Sequence, residues 1–255
     1  MTERVALVTG AGAGVGRAVA LRLARDGRAG TVVVNDLDET RAKAVAEEVS
    51  ALGATGLAVP ADVTDWQAVG EMVGRIQSAV GDVAILVNNA GVPADIALVP
   101  GRPFAESEPA EWAPWLRLNL DAVLMCTRAV LPAMLAANWG RIVTVVSDAA
   151  RVGEAGMIAY STGKAGAAGF MRAIAREVGR ANVTCNSVAL GTIKHGRLAE
   201  FLTDDREQRM LKRYVMPRLG TPEDGAGAIS FLCSDDAAWI TGQTYPVNGG
   251  YSMAQ

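Results

Sequence analysis

The segment Ala159–Gly166, AYSTGKAG, places Tyr160 four residues ahead of Lys164. On a helix, residues i and i+4 lie on one face, so the Lys164 ammonium can approach the Tyr160 phenol. Tyrosine can act as a general acid or base, but its ordinary pKa of about 10 is high for neutral pH, and a nearby cation lowers it. The spacing indicates proton-transfer chemistry, although by itself it also fits a tyrosine at the edge of the core and a solvated lysine.

A glycine-rich segment lies near the start of the chain. Between an apolar strand pattern and a helical pattern stands TGAGAGVG, whose candidate cofactor contacts are Gly10, Gly14, Val15 and Gly16. Such a turn lets backbone N–H groups and the positive end of a helix approach a pyrophosphate. Glycines also serve merely to reverse a chain, so the turn alone leaves both interpretations open.

Asp36 ends the second strand pattern, 20 residues after Gly16. A carboxylate at that place accepts hydrogen bonds from the adenosine ribose and repels the 2′-phosphate of NADP. Neither Leu37 nor Ala13 offers a cation for such a phosphate, and Arg17 lies in the first helical turn, where it can simply be exposed. The sequence therefore predicts NAD as the cofactor.

Short β-branched runs alternate with helical patterns along the whole chain. The strand patterns are continuous apolar runs such as VALVT, VAILVNNAG and GRIVTVVS, which are typical of strands buried on both faces. The alternation predicts an α/β fold, a Rossmann-type doubly wound parallel sheet with helices on both faces. Ligands of such sheets bind beyond the carboxyl ends of the strands, where most of the chemical motifs fall.

The composition limits the classes of protein and of partner. The chain has 255 residues, of which 50% are hydrophobic and 20% charged, and its formal net charge is −3. We expect a single domain over residues 1–255, no nucleic-acid or membrane partner and no segment that spans a membrane. The cysteines lack the clustering of a metal site, so reduced thiols and a cytoplasmic location are predicted; they are Cys126, Cys185 and Cys233.

Several motifs match one family in order and spacing. From TGAGAGVG through NNAG (88–91) to the terminal NGG, the chain resembles the short-chain dehydrogenase/reductase family in its classical form. The catalytic residues that the resemblance implies are Asn119 at the end of a proton relay, Ser147 at the substrate oxygen, Tyr160 and Lys164. The further cofactor contacts that it implies are Asp62 and Val63 at the adenine, Asn88, Ala90 and Gly91 along the cofactor, Tyr160 and Lys164 beside the nicotinamide ribose, and the backbone of Ile193 at the carboxamide.

The chain departs from the family pattern after its sixth strand. Leu190 stands where the family usually has proline, and His195 stands where a threonine is often found. These departures affect the expected contacts with the carboxamide group of the nicotinamide. His195 is interpreted either as a contact to substrate or cofactor or as an exposed loop residue.

The segment around 192–218 resembles the family's substrate lid and is predicted to be helical from Lys194 to Arg218. The run SDAARVGEAG (147–156) resembles members that oxidise cyclic hydroxyacyl-CoA thioesters and, more loosely, 3-oxoacyl thioester reductases. Candidate contacts to a CoA phosphate, or else ordinary surface cations, are Arg151, Lys212, Arg213 and Arg218. The resemblance also implies a homotetramer with the helices 119–138 and 161–180 at a subunit contact.

Together these features predict an NAD-dependent oxidoreductase that interconverts a secondary alcohol and a ketone, with an alicyclic alcohol or a hydroxyacyl-CoA as substrate. The alternatives are a 3-oxoacyl thioester reductase, an epimerase or dehydratase on the same scaffold, and a non-catalytic dinucleotide-binding module. A module without catalysis would have little need for the complete catalytic set, so the enzyme is favoured.

Overall fold

A computed structural model describes residues 3–92, 103–196 and 202–253. In this part of the chain seven strands form one parallel sheet, in the order β3-β2-β1-β4-β5-β6-β7. The predicted doubly wound α/β fold is therefore confirmed. The strands are β1 (Val5–Val8), β2 (Thr31–Val34), β3 (Thr55–Ala58), β4 (Val83–Asn88), β5 (Gly140–Ser147), β6 (Val183–Leu190) and β7 (Thr244–Val247).

Helices cover both faces of the sheet. The described helices are α1 (Gly14–Arg25), α2 (Glu39–Ala51), α3 (Trp66–Val80), α4 (Pro109–Leu116), α5 (Ala122–Ala137), α6 (Ala149–Val152), α7 (Ile158–Val178), α8 (Asp204–Leu211) and α9 (Pro222–Leu232). A π-helical turn, Arg117–Asp121, joins α4 to α5. Helices α1, α2 and α9 pack on one face of the sheet, and α3, α5 and α7 pack on the other.

The residues of β1 show why the central strands are continuous apolar runs. Ala6 and Val8 lie in the core under α1, α2 and α9, whereas Val5 and Leu7 lie in the core under α3, α5 and α7. All four are buried. Since successive side chains point to opposite faces, a strand covered on both sides needs apolar residues at every position.

Helix α1 begins differently from the two helices that follow it. The Asp38 and Asp65 side chains cap α2 and α3 by accepting hydrogen bonds from first-turn backbone N–H groups. At α1 the cap position is Ala13, which has no side-chain acceptor, and the first turn contains no acidic residue. The first N–H groups of α1 are thus left without a side-chain partner at their end of the helix.

The lid segment is less helical than predicted. A continuous helix over 194–218 was expected, but α8 begins after Thr203 and ends at Leu211. Beyond it the chain turns toward the C-terminal segment, where the Val215 N–H donates to the Gly249 carbonyl over 3.0 Å. The prediction of a continuous helix is therefore wrong, since this tertiary contact takes the place of helical hydrogen bonds. Residues 197–201 lie outside the described part of the chain.

One helical run was not anticipated from the composition. Pro109–Ala137, with mean hydropathy 1.6, is long and apolar enough by length and composition to cross a membrane. In the fold its second half, α5, contacts β4 and β5, and Cys126, Val130 and Met134 are each no more than 1% exposed. This half of the run thus packs as a core helix of the sheet, whereas α4 has no buried residue.

The three cysteines lie inside the protein. All are free thiols, and burial raises the pKa of each to about 12. They are therefore protonated at neutral pH, as expected of reduced core residues, and none has the low pKa of a nucleophile.

Candidate active site

The chemical motifs gather at the carboxyl edge of the sheet. Strand order reverses between β1 and β4, and the glycine turn follows β1 while the NNAG segment ends β4. Ser147 is the last residue of β5, next to β4. Open parallel sheets bind ligands at such a switch point. The predicted location of the site is consistent with this geometry.

The glycine turn packs closely on the end of β4. Gly10 and Gly14 have φ of 61° and 54°, which favours glycine. A Cβ on Gly10 would lie 2.9 Å from the Ala90 Cα, and one on Gly16 would lie 2.4 Å from the Gly10 carbonyl oxygen. These glycines bring the turn against β4 and leave the uncapped end of α1, which includes Val15, open to an anion.

Asn89 fixes this arrangement and was missed by the sequence analysis. Its side-chain Nδ2 donates to the carbonyls of Thr9 and Gly10 over 2.9 and 3.0 Å. Its backbone N–H donates to the Thr9 hydroxyl over 3.0 Å. The available signal was the second asparagine of NNAG, a polar residue that directly follows a buried strand.

Asp36 faces the glycine turn, as its spacing suggested. Its Oδ2 accepts a hydrogen bond from the Gly12 N–H over 2.9 Å, and its Oδ1 accepts one from the Asp38 N–H over 3.0 Å. The side chain is nearly buried. A carboxylate held in this way is in place to receive ribose hydroxyls.

A cation that the sequence analysis did not consider lies beside Asp36. Arg41, in the first turn of α2, places its guanidinium 3.2 Å from the Asp36 carboxylate and 3.3 Å from that of Asp38. Arg17, which was considered, is instead bonded to Glu48 on α2. Arg41 lies five residues after Asp36. Because this spacing corresponds to no strand or helix pattern, it gave no signal in the sequence that Arg41 lies near the ribose site.

The remaining predicted adenine and sheet residues lie at the ends of β3 and β4. Asp62 is exposed and accepts hydrogen bonds from the Thr64 N–H and hydroxyl over 2.8 and 2.7 Å, while Val63 is buried. Asn88 is buried, and its Nδ2 donates over 3.3 Å to one hydroxyl on α5 and one on β5. Asn88 thus links β4 to α5 and β5 by hydrogen bonds.

Tyr160 lies in the first turn of α7, next to the end of β5. Its ring meets that of Trp115 edge to face, with centroids 5.7 Å apart. Burial raises the pKa of the Tyr160 phenol, and a hydrogen bond with Ser147 opposes that rise without cancelling it. The phenol is therefore protonated at neutral pH and is close to the serine that was predicted to hold the substrate oxygen.

Lys164 takes a different position from the one expected. Its Nζ donates to the Val145 carbonyl over 2.7 Å and lies 5.8 Å from the centroid of the Tyr160 ring. Burial lowers the pKa of the ammonium to about 8. The two residues share a helix face as predicted. The lowering of the Tyr160 pKa that was expected from the lysine is not found in this arrangement, because burial raises this pKa and the effect that opposes the rise comes from Ser147.

Asn119 lies in the π-helical turn, a feature often found at functional sites. Its Nδ2 donates to the Trp115 carbonyl over 3.0 Å, and its buried Oδ1 has no hydrogen-bond partner among the described residues. A Cβ on Gly91 would lie 2.7 Å from the Lys164 Nζ and 3.0 Å from this Oδ1. Because Gly91 has no side chain, space remains next to both the Asn119 Oδ1 and the Lys164 Nζ.

Ile193 and His195 approach the site from the end of β6. Ile193 is buried and forms a parallel bridge with Gly220 through the Thr192 carbonyl and the Lys194 N–H, so its own amide is not used in that bridge. His195 is exposed, as one of its two interpretations predicted, and its imidazole also lies against Gly14 at the start of α1. The structure therefore brings the predicted catalytic and cofactor residues to one edge of the sheet.

These residues fit a nicotinamide dinucleotide. The uncapped end of α1 can receive a pyrophosphate, and Asp36 can receive ribose hydroxyls. Lys164 has three N–H donors, of which the Val145 carbonyl takes one, and Asn119 keeps its orphaned oxygen. Polar groups of this kind are unusual inside a protein and indicate a ligand site.

The comparisons with known proteins agree with this geometry. A family model described as Enoyl-(Acyl carrier protein) reductase matches residues 10–252. The chain is 39% identical to the 3-oxoacyl-(acyl-carrier-protein) reductase FabG of Pseudomonas aeruginosa, over 98% of each chain. It is 41% identical to the (2S)-((R)-hydroxy(phenyl)methyl)succinyl-CoA dehydrogenase subunit BbsD of Thauera aromatica, over 98% of this chain and 97% of that protein. The chain therefore belongs to the short-chain dehydrogenase/reductase family of oxidoreductases, which bind a nicotinamide dinucleotide.

Proposed function

We propose that this protein is an NAD-dependent oxidoreductase that interconverts a secondary alcohol and a ketone on an acyl thioester. The observation that carries the proposal is the meeting of Ser147, Tyr160, Lys164 and Asn119 beside the glycine turn. Each residue alone has an ordinary structural explanation. Their convergence at the switch point of the sheet supports a catalytic one.

Tyr160 acts as the proton donor and acceptor in this proposal. Its raised pKa keeps the phenol protonated, so it can donate a proton to the oxygen of a ketone that Ser147 holds by a hydrogen bond. A bound nicotinamide would supply or accept the hydride. In the oxidative direction the same phenolic oxygen takes the proton from the alcohol.

Lys164 and Asn119 complete the path for that proton. The free donors of Lys164 can bind ribose hydroxyls, and the unused Oδ1 of Asn119 can accept from a water. A water between these two groups would connect the ribose and the phenol to the inside of the π-helical turn. This role agrees with the space that Gly91 leaves open.

The choice of NAD rests on Asp36. Its carboxylate is held by the Gly12 and Asp38 N–H groups, so its negative charge stays where a 2′-phosphate would lie. Arg41 is close, but it is shared by two carboxylates, Asp36 and Asp38, and does not give the site a net positive charge. We therefore propose NAD over NADP.

The cofactor preference can be tested with two variants. We expect the wild type to have a higher kcat/KM with NAD than with NADP. Asp36→Ala frees Arg41 from its buried partner and should move the preference toward NADP by about 10-fold or more. Arg41→Ala should leave the NAD preference in place. A wild type that prefers NADP would overturn this part of the proposal without affecting the oxidoreductase chemistry.

The acyl-thioester substrate is supported by the names of the relatives. They are a 3-oxoacyl-(acyl-carrier-protein) reductase and a dehydrogenase of a hydroxylated acyl-CoA, so both names place the reacting oxygen on an acyl thioester. The arginines suggested for a CoA phosphate support it less. Arg151, Arg213 and Arg218 are each ion-paired within the protein, with Asp148, Glu154 and Asp224.

The decisive variant is Tyr160→Phe, which removes the phenolic oxygen and keeps the ring. We expect kcat to fall by about 10²–10⁴-fold while NADH binding, followed by fluorescence, is retained. The matched control is Tyr245→Phe, at a partly exposed tyrosine on β7. Substrates should include hydroxyacyl and oxoacyl thioesters, an enoyl thioester and alicyclic alcohols. Unchanged turnover in Tyr160→Phe would refute the mechanism, and turnover without net change in NAD would favour an epimerase.

The segment 192–218 is proposed to cover the site as a lid within one catalytic domain. The Thr192 N–H donates to the Tyr214 hydroxyl over 2.9 Å. Arg213 is 3.1 Å from Glu154, and the Tyr251 hydroxyl donates to the same carboxylate over 2.8 Å. These contacts connect the lid segment to the loop after Ser147 and to the C-terminal turn.

A homotetramer is proposed as the quaternary state. Leu124 and Leu135 on α5 and Ile158 on α7 are each more than a third exposed, which supports a subunit contact along these helices. Light scattering would test this state, and a monomer at micromolar concentration would contradict it.

A further inference from the structure

The only histidine of the chain lies against the glycine turn. A Cβ on Gly14 would lie 2.9 Å from the Nδ1 of His195 and 3.0 Å from its Cε1, so the imidazole is in van der Waals contact with the first residue of α1. Gly14 has a positive φ and carries no side chain between the ring and the helix end. A ring nitrogen therefore lies beside Gly14, the first residue of α1.

This helix end favours an anion. Helix α1 has 12 residues, no side-chain cap and no acidic residue in its first turn. The positive end of its dipole is therefore not compensated by a carboxylate within the helix. A ligand phosphate bound there would lie within reach of the imidazole, since the ring touches the same residue.

Among the described residues, the charged groups on the elements around His195 form no ion pair with its imidazole. They are Arg17 of α1, Lys194 beside it, Glu207 of α8 and Glu223 of α9. Arg17 and Lys194 are both held in ion pairs, and Glu223 acts on Arg17. His195 is exposed at the surface but partly desolvated against α1, and this partial desolvation lowers the pKa of the imidazole below its ordinary value, so the ring is mainly neutral at pH 7.

We propose that His195 is a cofactor-binding residue that contacts the pyrophosphate of the dinucleotide and takes up a proton when the dinucleotide binds. The inference rests on the proposed use of a nicotinamide dinucleotide. It gives a role to a residue that departs from the family pattern, and it makes cofactor affinity depend on pH.

The sign of the dependence follows from linkage. In the free protein, partial desolvation of the exposed ring favours its neutral form, whereas the negative charge of a pyrophosphate favours the protonated ring and raises its pKa. The complex therefore holds more protons than its separate parts, and affinity increases as pH falls through the interval between the two pKa values. The limiting slope is about 10-fold per pH unit for one proton.

The test compares the wild type with His195→Gln, which keeps a polar side chain but does not titrate in this range. NADH affinity is measured by fluorescence from pH 5.5 to 7, where Lys164, with its pKa of about 8, stays mainly protonated, and proton uptake is measured by calorimetry in two buffers of different ionisation enthalpy. ADP-ribose, which contains the pyrophosphate, and adenosine, which contains no phosphate, are measured by displacement of NADH. Glu207→Gln serves as the control, because it disturbs the ion pair of the adjacent Lys194 and leaves the histidine in place.

We expect wild type and Glu207→Gln to bind NADH and ADP-ribose more tightly at low pH with proton uptake, and His195→Gln to lose both effects. Adenosine affinity should be the same in all three proteins. A pH dependence that persists in His195→Gln, or an equal loss of adenosine affinity, would overturn the inference. Wild type that binds ADP-ribose in this way but shows no dehydrogenase activity would contradict the proposed function and leave the inference standing.

Discussion

Two buried cations lie at opposite ends of the sheet. Lys164 on α7 is beside the carboxyl edge and is 3% exposed, whereas Arg141 near the start of β5 is 1% exposed. Burial lowers the pKa of both groups. By composition and burial alone they belong to the same class.

Their hydrogen bonds separate them. Arg141 donates to the carbonyls of Gly140, Asn182 and Ser234 over 2.9 to 3.2 Å, and its guanidinium also lies over the Trp139 ring. Among the residues that the structure describes, Lys164 donates to one carbonyl, that of Val145, and it faces space left by Gly91. A buried cation whose donors are taken up by the protein stabilises the fold, while one with donors left over is prepared for a ligand.

The largest expected effect is on catalysis at Lys164. Lys164→Met keeps the length of the side chain but removes its charge and donors. We expect kcat/KM to fall by about 10²-fold or more while the protein stays folded. The variant has no donor for the ribose hydroxyls and none for the water in the proposed proton path. Steady-state kinetics with circular dichroism checks this. A variant with wild-type kcat/KM would show that Lys164 is as structural as Arg141.

Arg141→Met should have the opposite consequence. It removes three hydrogen bonds from a buried guanidinium to backbone carbonyls, so we expect the free energy of unfolding to fall by about 3 kcal/mol. Urea denaturation measures this loss. The kcat of the folded fraction and its NADH affinity should stay at wild-type values. A selective loss of NADH affinity in this variant would contradict the division between the two ends of the sheet.

The stability that depends on Lys164 should increase with pH. The pKa of this lysine is about 8 in the folded protein and 10.5 in its ordinary state, so the unfolded chain binds more protons between these values. The free energy of unfolding therefore rises from pH 8 to 10.5, by roughly 3 kcal/mol relative to Lys164→Met. The exposed Lys43→Met is the control and should follow the wild type. If the free energy of unfolding had the same pH dependence in all three proteins, the charged form of Lys164 would not be destabilised by burial in the folded protein.

The smallest effect is expected at Arg17, a partly exposed cation near the glycine turn whose partner is Glu48. Arg17→Ala should reduce the free energy of unfolding by less than about 1 kcal/mol, as is usual for surface ion pairs. Affinity for NAD and for NADP should change little. A specific loss of NADP affinity, measured by fluorescence titration, would instead make Arg17 a phosphate ligand.

The strands were the most predictable part of the fold. The runs GRIVTVVS and VTCNSVAL correspond to β5 and β6 at both ends. They are predictable because a strand covered on both faces is mostly apolar, without polar and apolar residues in alternation. The lid was predicted less well, since α8 is exposed and its limits depend on contacts with Gly249 and the C-terminal turn.

The site residues could be placed from the sequence, but the directions of their long side chains could not. The spacing of Tyr160 and Lys164 predicted a shared helix face, yet the ammonium turns to the Val145 carbonyl. The spacing of Asp36 from the glycines predicted its place, but it did not predict the ion pair that Arg41 of α2 forms with its carboxylate. A lysine or arginine has several rotatable bonds, and its partner is selected by the tertiary surroundings.

The sequence by itself determined the α/β fold, the family and the edge of the sheet at which the chemistry lies, because these follow from local apolar patterns and from turns that only glycine permits. Only the tertiary structure decided which polar groups are satisfied and which are not. It showed that Arg141 makes three hydrogen bonds to backbone carbonyls, that the Asn119 Oδ1 has no hydrogen-bond partner among the described residues, and that His195 lies against the start of α1. The reason is physical: hydrogen-bond satisfaction and burial depend on residues far apart in the chain, and these two quantities separate a structural charge from a functional one.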